Sequence, residues 1–330
     1  MNKIDYLKYA MKTCELKKSD KPNVQDIADV LKSTFEKVYD VICLDIDGTI
    51  TGTTSDIKDV SPEMIDIFKK LFDAQVCVCF VTGRGRKSAT DFVKKIISSG
   101  GLDEKTPNRW YCINGNGFGF LHTITDFWDT ETEFVEITRQ NKFCRDKDNL
   151  RSNIAKIISL RSSLDEEKII SESKESNYKT SLIFTFNTIL PNELSIVNYL
   201  KEYLKNYPDY RLSKGKYSEI HGGKYFLEVS CTSKGQAIKK IIQVMNISED
   251  TVLRVGDQGD EWGIDHTMLN TNESFSVGTI SKDNLKCCFP VLDYNSGYKV
   301  LKGSEGTKFL LKTINVRPSV SFNISNREKI

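Results

Sequence analysis

The sequence has no apolar run approaching the ~20 residues that a helix needs to cross a bilayer, so no membrane partner is expected. It has three histidines, far apart, and no Cys-x-x-Cys, so a structural zinc site finds no ligand set. It has no excess of one charge. The 47 Lys and Arg stand against 45 Asp and Glu, a net of +2, so no strong field favours nucleic acid or an anionic surface. Met1-Asn-Lys-Ile-Asp-Tyr6 lacks the apolar core and small-residue cleavage site of a secretory signal. Nine cysteines are an odd count for a disulfide framework, and the expectation is a reduced, cytoplasmic protein. No internal repeat or low-complexity tract occurs. What remains is a 330-residue chain, 39% hydrophobic and 28% charged, an ordinary globular composition with a length prior of about two domains.

One stretch organises the chain: Val41-Ile-Cys-Leu-Asp45-Ile-Asp47-Gly48-Thr49-Ile50. The apolar run reads as a buried parallel strand, and Gly48 marks its turn. Open α/β sheets place their ligand crevice at the carboxyl ends of such strands. Two carboxylates there repel unless something compensates them, and a hard cation such as Mg2+ suits oxygen ligands. The plainer reading is a strand followed by an acidic turn.

The rest of the chain repeats the pattern. Ser61-Pro62-Glu63 reads as a helix start, with Met64, Phe68, Leu71 and Phe72 as its apolar stripe. Val76–Val81 is a second apolar strand, with Cys77 and Cys79 on one side, and it ends in Thr82-Gly83-Arg84. A helix over about 87–99 and a short strand at Tyr111-Cys-Ile113 follow. From about 117 alternating and mixed segments appear, as in Phe134-Val-Glu-Ile137, Ser181–Phe186 and Tyr225–Val229, with helical stretches near 148–160 and 192–206. The return comes at Ser233-Lys234-Gly235, then the strand Thr251–Val255, ending in Gly256-Asp257. A strand at Phe275–Val277 and a helix over Gly306–Lys312 close the chain.

The fold expected is α/β, a Rossmann-like parallel-sheet core interrupted by an α+β insertion. The boundaries are a helical extension over 1–38, a core over 39–116 and 229–330, and a cap over 117–228. The extension carries Ile27, Val30, Leu31 and Phe35 at helical spacing.

Each candidate site residue has a chemical and a plain reading. The Asp45 carboxylate can act as a nucleophile, splitting a hard step into two. Asp47 can supply and remove the proton. Thr82 ends a strand, where its hydroxyl either donates to a ligand oxygen or bonds its own backbone. The Arg84 guanidinium suits bidentate phosphate contact. Lys234 opens a helix, where the macrodipole disfavours a cation unless an anion sits there too. A solvated lysine is the alternative.

At Asp45-Ile-Asp47-Gly48-Thr49, Thr82-Gly83-Arg84, Ser233-Lys234-Gly235 and Gly256-Asp257, the chain resembles the haloacid dehalogenase superfamily over roughly residues 40–312. It is most similar to the branch with a large sheet-containing cap, which includes sugar-phosphate and sucrose-phosphate phosphatases and phosphomannomutase. The resemblance implies Asp45 as nucleophile, Asp47 as acid and base with its backbone carbonyl on the metal, and Asp257 as a metal ligand. It implies phosphoryl contacts from the Gly48 and Thr49 amides, Thr82, Gly83 and Arg84, with Lys234 neutralising the phosphoryl group and Asp45. The fourth motif departs from the family pattern. It reads Gly256-Asp-Gln-Gly-Asp260-Glu261-Trp-Gly-Ile264-Asp265. Asp260 fits the second acidic position by direct spacing, and Asp265 fits if three residues are inserted. The helix after Asp265 favours the second. In the cap, Lys179 beside Tyr178 faintly resembles the sucrose-phosphate phosphatase cap, and His221-Gly-Gly-Lys224 is a second loop that could reach a ligand. The function implied is a Mg2+-dependent phosphomonoesterase acting on a small phosphorylated metabolite, with a sugar phosphate favoured. A phosphomannomutase-like phosphotransferase and a non-catalytic binding protein are the alternatives.

Overall fold

Runs that are apolar at every position make strands buried on both faces, and the core of this protein is built from them. The computed structural model describes residue 29 and residues 35–52, 57–101, 110–115, 119–122, 132–133, 137–176, 179–217, 222–280, 288–293, 296–297 and 299–318. Strand β1 (Val38–Tyr39) leads into β2 (Val41–Leu44), followed by α1 (Pro62–Asp73), β3 (Cys77–Val81), α2 (Arg86–Ser99) and β4 (Trp110–Asn114). Strands β5 (Gly119–His122) and β6 (Thr132–Glu133) precede α3 (Ile137–Ser162) and α4 (Glu166–Glu172). Then come β7 (Lys174–Glu175), β8 (Ser181–Phe186), α5 (Glu193–Leu204), β9 (Arg211–Lys216) and β10 (Tyr225–Ser230). The chain closes through α6 (Lys234–Met245), β11 (Val252–Gly259), α7 (His266–Leu269), β12 (Ser274–Ile280) and β13 (Phe289–Asp293). Last are β14 (Lys299–Leu301), α8 (Gly303–Thr313) and β15 (Asn315–Val316).

The main sheet has the order β14-β13-β12-β11-β2-β3-β4-β5-β6. From β13 to β4 the neighbours pair in parallel, while β14, β5 and β6 add antiparallel edges. The period of two sorts the side chains. Ile42, Leu44, Val78 and Phe80 share one core with α1, α2 and α8. Val41, Cys43, Cys77, Cys79 and Val81 face the other way, against Ala237, Ile238 and Ile241 of α6. Helices therefore cover both faces. The start of α1 follows the expected chemistry: Pro62 is its first residue, and the Ser61 hydroxyl accepts from the Met64 amide. Met64, Phe68 and Leu71 are buried, and Phe72 is partly so.

A second, four-stranded antiparallel sheet has the order β7-β8-β10-β9 and its own core with α3, α4 and α5. The transition expected at 117 lies later. Gly119–His122 and Thr132–Glu133 extend the main sheet, and the second layer starts with α3. An antiparallel edge hairpin alternates as an inserted sheet does, so the pattern change at 117 marked the end of parallel pairing. At the return, Val229 and Ser230 still belong to the second sheet. Of the 1–38 segment, Phe35 stacks on Phe275 with ring centroids 6.2 Å apart. Val38 is strand rather than helix, pairing with Asn315. Ile27, Val30 and Leu31 lie outside the described residues. No helix among the described residues is long and apolar enough to cross a membrane.

Trp110 anchors the parallel half of the sheet, with Phe68, Phe72 and Phe80 edge-on at 5.5–5.8 Å. Trp110→Ala should cost about 3–5 kcal/mol in urea denaturation. Trp110→Phe should cost far less, because the buried indole N–H has no hydrogen-bond partner to lose. Equal losses in the two variants would contradict this.

Candidate active site

β2 lies between β11 and β3, and the three strands deliver Asp45, Asp257 and Thr82 at their carboxyl ends. The crevice sits where the strand order reverses around β2. The Asp45 amide donates to the Val255 carbonyl at 2.9 Å, which ties the start of the loop to β11. The Ile46 carbonyl accepts from Ile50 and Thr51, closing a tight turn. Gly48 stands in that turn at φ +76°, and a Cβ there would come within 2.4 Å of the Asp257 carboxylate. Backbone conformation and close approach both demand glycine. From the far end of the chain, the Thr307 hydroxyl of α8 donates to the Thr49 carbonyl at 2.8 Å.

Lys234 is the first residue of α6, whose N-cap Ser233 accepts from the Gln236 amide. Its Nζ donates to Asp45 Oδ1 and Asp265 Oδ1, both at 2.6 Å, and all three side chains are buried. Asp265 Oδ2 accepts from the Asp257 and Gln258 amides at 3.1 Å each. Carboxylate oxygens of Asp45, Asp257 and Asp265 all lie within 4.8 Å of one another. Three carboxylates thus face one ammonium. Burial first, and Asp265 second, push the Asp45 carboxyl up to about 8 against the pull of Lys234. The same two causes raise Asp257 well above the usual carboxylate range. Burial works against the Lys234 ammonium, but Asp265 and Asp45 together hold its pKa above the ordinary value. Asp257 Oδ1 is buried without a hydrogen-bond partner. An unpaired buried carboxylate oxygen among three clustered carboxylates fits the donor set of a hard divalent cation.

The structure brings Asp45, Asp257, Asp265 and Lys234 together. Asp260 is not in this group: its carboxylate accepts from the Trp262 amide and the Thr279 hydroxyl. The side chain of Asp47 also stays outside the carboxylate group. Arg84 holds it in two hydrogen bonds, Nη2 to Oδ1 at 2.7 Å and Nε to Oδ2 at 3.1 Å. The Thr82 hydroxyl accepts from the Arg84 amide at 3.1 Å, so the backbone contact weighed from the sequence is made. Gly83 is exposed in that loop. Thr49 is buried with its hydroxyl unpartnered, and its amide donates to Ile46 at 3.4 Å. Lys179 is exposed in the turn before β8, at φ +54°, and its amide donates to the Ser176 carbonyl. Tyr178 and His221 lie outside the described residues.

Two residues with a bearing on the site carry no sequence signal. Arg211, in β9, donates to the Gly263 carbonyl at 3.3 Å and feels the charge of Asp265, while burial lowers its pKa to about 10. Trp262 lies inside the departure from the fourth motif and packs against the core of the second sheet. A charge in an alternating strand and a tryptophan in a loop each look like ordinary surface until the layers are assembled.

The model of the haloacid dehalogenase-like hydrolases matches residues 42–278, and the chain belongs to that family. It is the family that the separated motifs resemble. Among solved structures, it resembles an IMP-bound, substituted Plasmodium falciparum IMP-nucleotidase with a TM-score of 0.57 and 12% identity, covering 93% of this chain and 77% of that one. An IMP-bound, N-terminally truncated form of the Plasmodium falciparum enzyme gives 0.55 at 15% identity, over 93% and 77%. A putative HAD/COF-like hydrolase from Plasmodium vivax gives 0.51 at 19%, over 86% and 98%. At these identities the likeness is one of fold. No curated protein matches the chain.

The excess of carboxylates has a measurable consequence. Asp45 and Asp257 bind their protons more tightly in the folded state than in the unfolded chain. Their contribution to stability is therefore full below about pH 3.9, the ordinary carboxyl value, and declines as pH rises. For Asp45 the decline runs to about pH 8. In chelator at pH 8, Asp257→Asn should melt at a higher temperature than wild type, and the gap should narrow toward pH 4. A lower melting temperature at pH 8 would contradict the reading of Asp257 as uncompensated.

Proposed function

We propose that this protein is a Mg2+-dependent phosphomonoesterase that carries the phosphoryl group on Asp45. The observation that supports it best is Lys234 Nζ, bonded at once to Asp45 and Asp265 beside Asp257, whose buried Oδ1 has no hydrogen-bond partner. A buried nucleophilic carboxylate needs its own charge offset before it can accept an anionic phosphoryl group. Lys234 supplies part of that offset from a fixed position. Bound Mg2+ would neutralise carboxylate and phosphoryl charge and orient the ester. Asp45, Asp257 and Asp265, with the Asp47 carbonyl, are the groups to hold it.

In the first step an Asp45 oxygen bonds to phosphorus as the ester P–O bond breaks. Asp47 gives its proton to the departing oxygen. In the second, water attacks phosphorus, Asp47 takes the water proton, and the Asp45–phosphorus bond breaks to release phosphate. Arg84 now pairs with Asp47, and its planar fork suits a phosphoryl group equally. An entering phosphate competes for that fork, which frees the Asp47 carboxyl for the leaving oxygen.

The substrate class we propose is a small phosphorylated sugar. A nucleoside 5′-monophosphate is one form of it, and the fold likeness to an IMP-nucleotidase over 93% of the chain makes IMP a sensible member of the panel. Either way the leaving group is a sugar alkoxide. A panel of sugar phosphates, nucleoside monophosphates and p-nitrophenyl phosphate, each with Mg2+ and with chelator, tests the reading. Full turnover after exhaustive metal removal would overturn the metal requirement.

The two aspartates should separate by leaving group. Asp45→Asn should be inactive on every ester and form no acid-stable phospho-enzyme. Asp47→Asn keeps the nucleophile and loses the proton donor, a loss that typically costs ~10²–10⁴-fold. That loss should appear on the sugar ester and be much smaller on p-nitrophenyl phosphate, whose leaving group needs little protonation. Equal slowing of both esters in the chemical step would remove Asp47 from the acid role.

A further inference from the structure

The segment between the two acidic positions of the fourth motif does more than space them. Asp260 to Gly263 form a turn, with the Gly263 amide bonded to the Asp260 carbonyl at 2.9 Å and the Trp262 amide to Asp260 Oδ1 at 3.1 Å. The turn folds back so closely that a Cβ on Gly263 would lie 2.0 Å from the Gln258 carbonyl oxygen. It presents Trp262 and Glu261 away from the carboxylate group and toward the second sheet, the cap of this family.

The cap takes hold of the turn at several independent points. The Lys214 amide donates to the Trp262 carbonyl at 2.9 Å. Strand β9 is at the edge of its sheet, so this bond uses a backbone group that no neighbouring strand pairs. Arg211 Nη2 donates to the next carbonyl, Gly263, at 3.3 Å. The Trp262 ring packs against the cap core that includes Leu200, Leu212 and Val229. Lys201 of α5 lies 5.1 Å from the centre of that ring and 2.9 Å from Glu261. The Lys201–Glu261 pair is half exposed and contributes little by itself. The partly buried ring and the two backbone acceptors carry the attachment.

The turn ends at Asp265, two residues after Gly263. Asp265 in turn sets Lys234 and receives the Asp257 and Gln258 amides. A displacement of the turn thus reaches both acidic residues at the end of β11 and the ammonium that bonds Asp45. We propose that Trp262 is a positioning residue that fixes Asp265, and through it the Lys234–Asp45 pair, by anchoring the fourth-motif turn in the cap. Its catalytic consequence rests on the phosphatase reading above. The anchoring itself does not.

The test uses the full chain with Trp262→Ala and Trp262→Phe, compared by hydrogen exchange in chelator over residues 257–268. Partners that orient ligands from outside the site typically cost about 10–100-fold when removed. In the Ala variant the Asp257 and Gln258 amides should exchange about tenfold faster than in wild type, and calorimetric Mn2+ binding should weaken by a similar factor. Trp262→Phe, which keeps a ring in the cap, should restore most of both. On p-nitrophenyl phosphate with Mg2+, the Ala variant should lose kcat with little change in KM. A folded Ala variant with wild-type exchange at 257–258 and wild-type Mn2+ affinity would overturn the proposal. If that variant does not fold, Trp262→Leu carries the same comparison with the same two outcomes. A wild-type protein that turns over no phosphate ester would sink the phosphatase reading alone, since the exchange and Mn2+ results judge the anchor without it.

Discussion

The ammonium of Lys234 is the charge on which the site depends. It sits in a buried place that already holds three carboxylates, and it bonds two of them. Removing one partner from a buried ion pair strands the other charge at a cost of about 3–5 kcal/mol. Here the partner is shared, so Asp45 and Asp265 are fixed relative to one another by a single nitrogen. That geometry explains why Lys234 opens a helix at all. The unfavourable macrodipole at that position is outweighed by two anions at hydrogen-bond distance.

Much of the core was legible because burial on both faces writes itself into sequence without ambiguity. Val41–Leu44 and Cys77–Val81 read as buried strands, and the polar residues that follow them are the candidates for chemistry. The β5–β6 edge was not legible, since an alternating segment has the same pattern whether it joins an existing sheet or starts another. The fourth motif was half legible. Spacing left Asp260 and Asp265 both open, and the helix after Asp265 pointed to the residue that three-dimensional packing brings to Lys234. Arg211 and Trp262 were silent because their meaning lies in a contact between layers. The carboxylate of Asp47 shows a further limit. Its place in the motif carries a role, but its pairing with Arg84 depends on two loops that meet only in the folded chain.

The second sheet and the main sheet are joined by more than the covalent links. The fourth-motif turn is core by sequence and reaches the cap by packing, through Trp262 and the edge of β9. A layer tied to the main sheet by two linkers alone could rock freely. One that also grips the turn before Asp265 moves only together with that turn, or by releasing the partly buried indole of Trp262.

The order of the strands also has a history in time. Lys234 and Asp45 are separated by 189 positions, and β2 cannot gain β11 as a neighbour before the intervening cap has been synthesised. The cap has a contiguous sequence and its own apolar core, whereas the main sheet closes only through contacts of long sequence separation, which form slowly. During synthesis the amino-terminal strands must therefore wait with their apolar edges unpaired, exposed to the hazard that such edges carry. The Lys234–Asp45 pair cannot form until the chain has passed the whole of the second sheet.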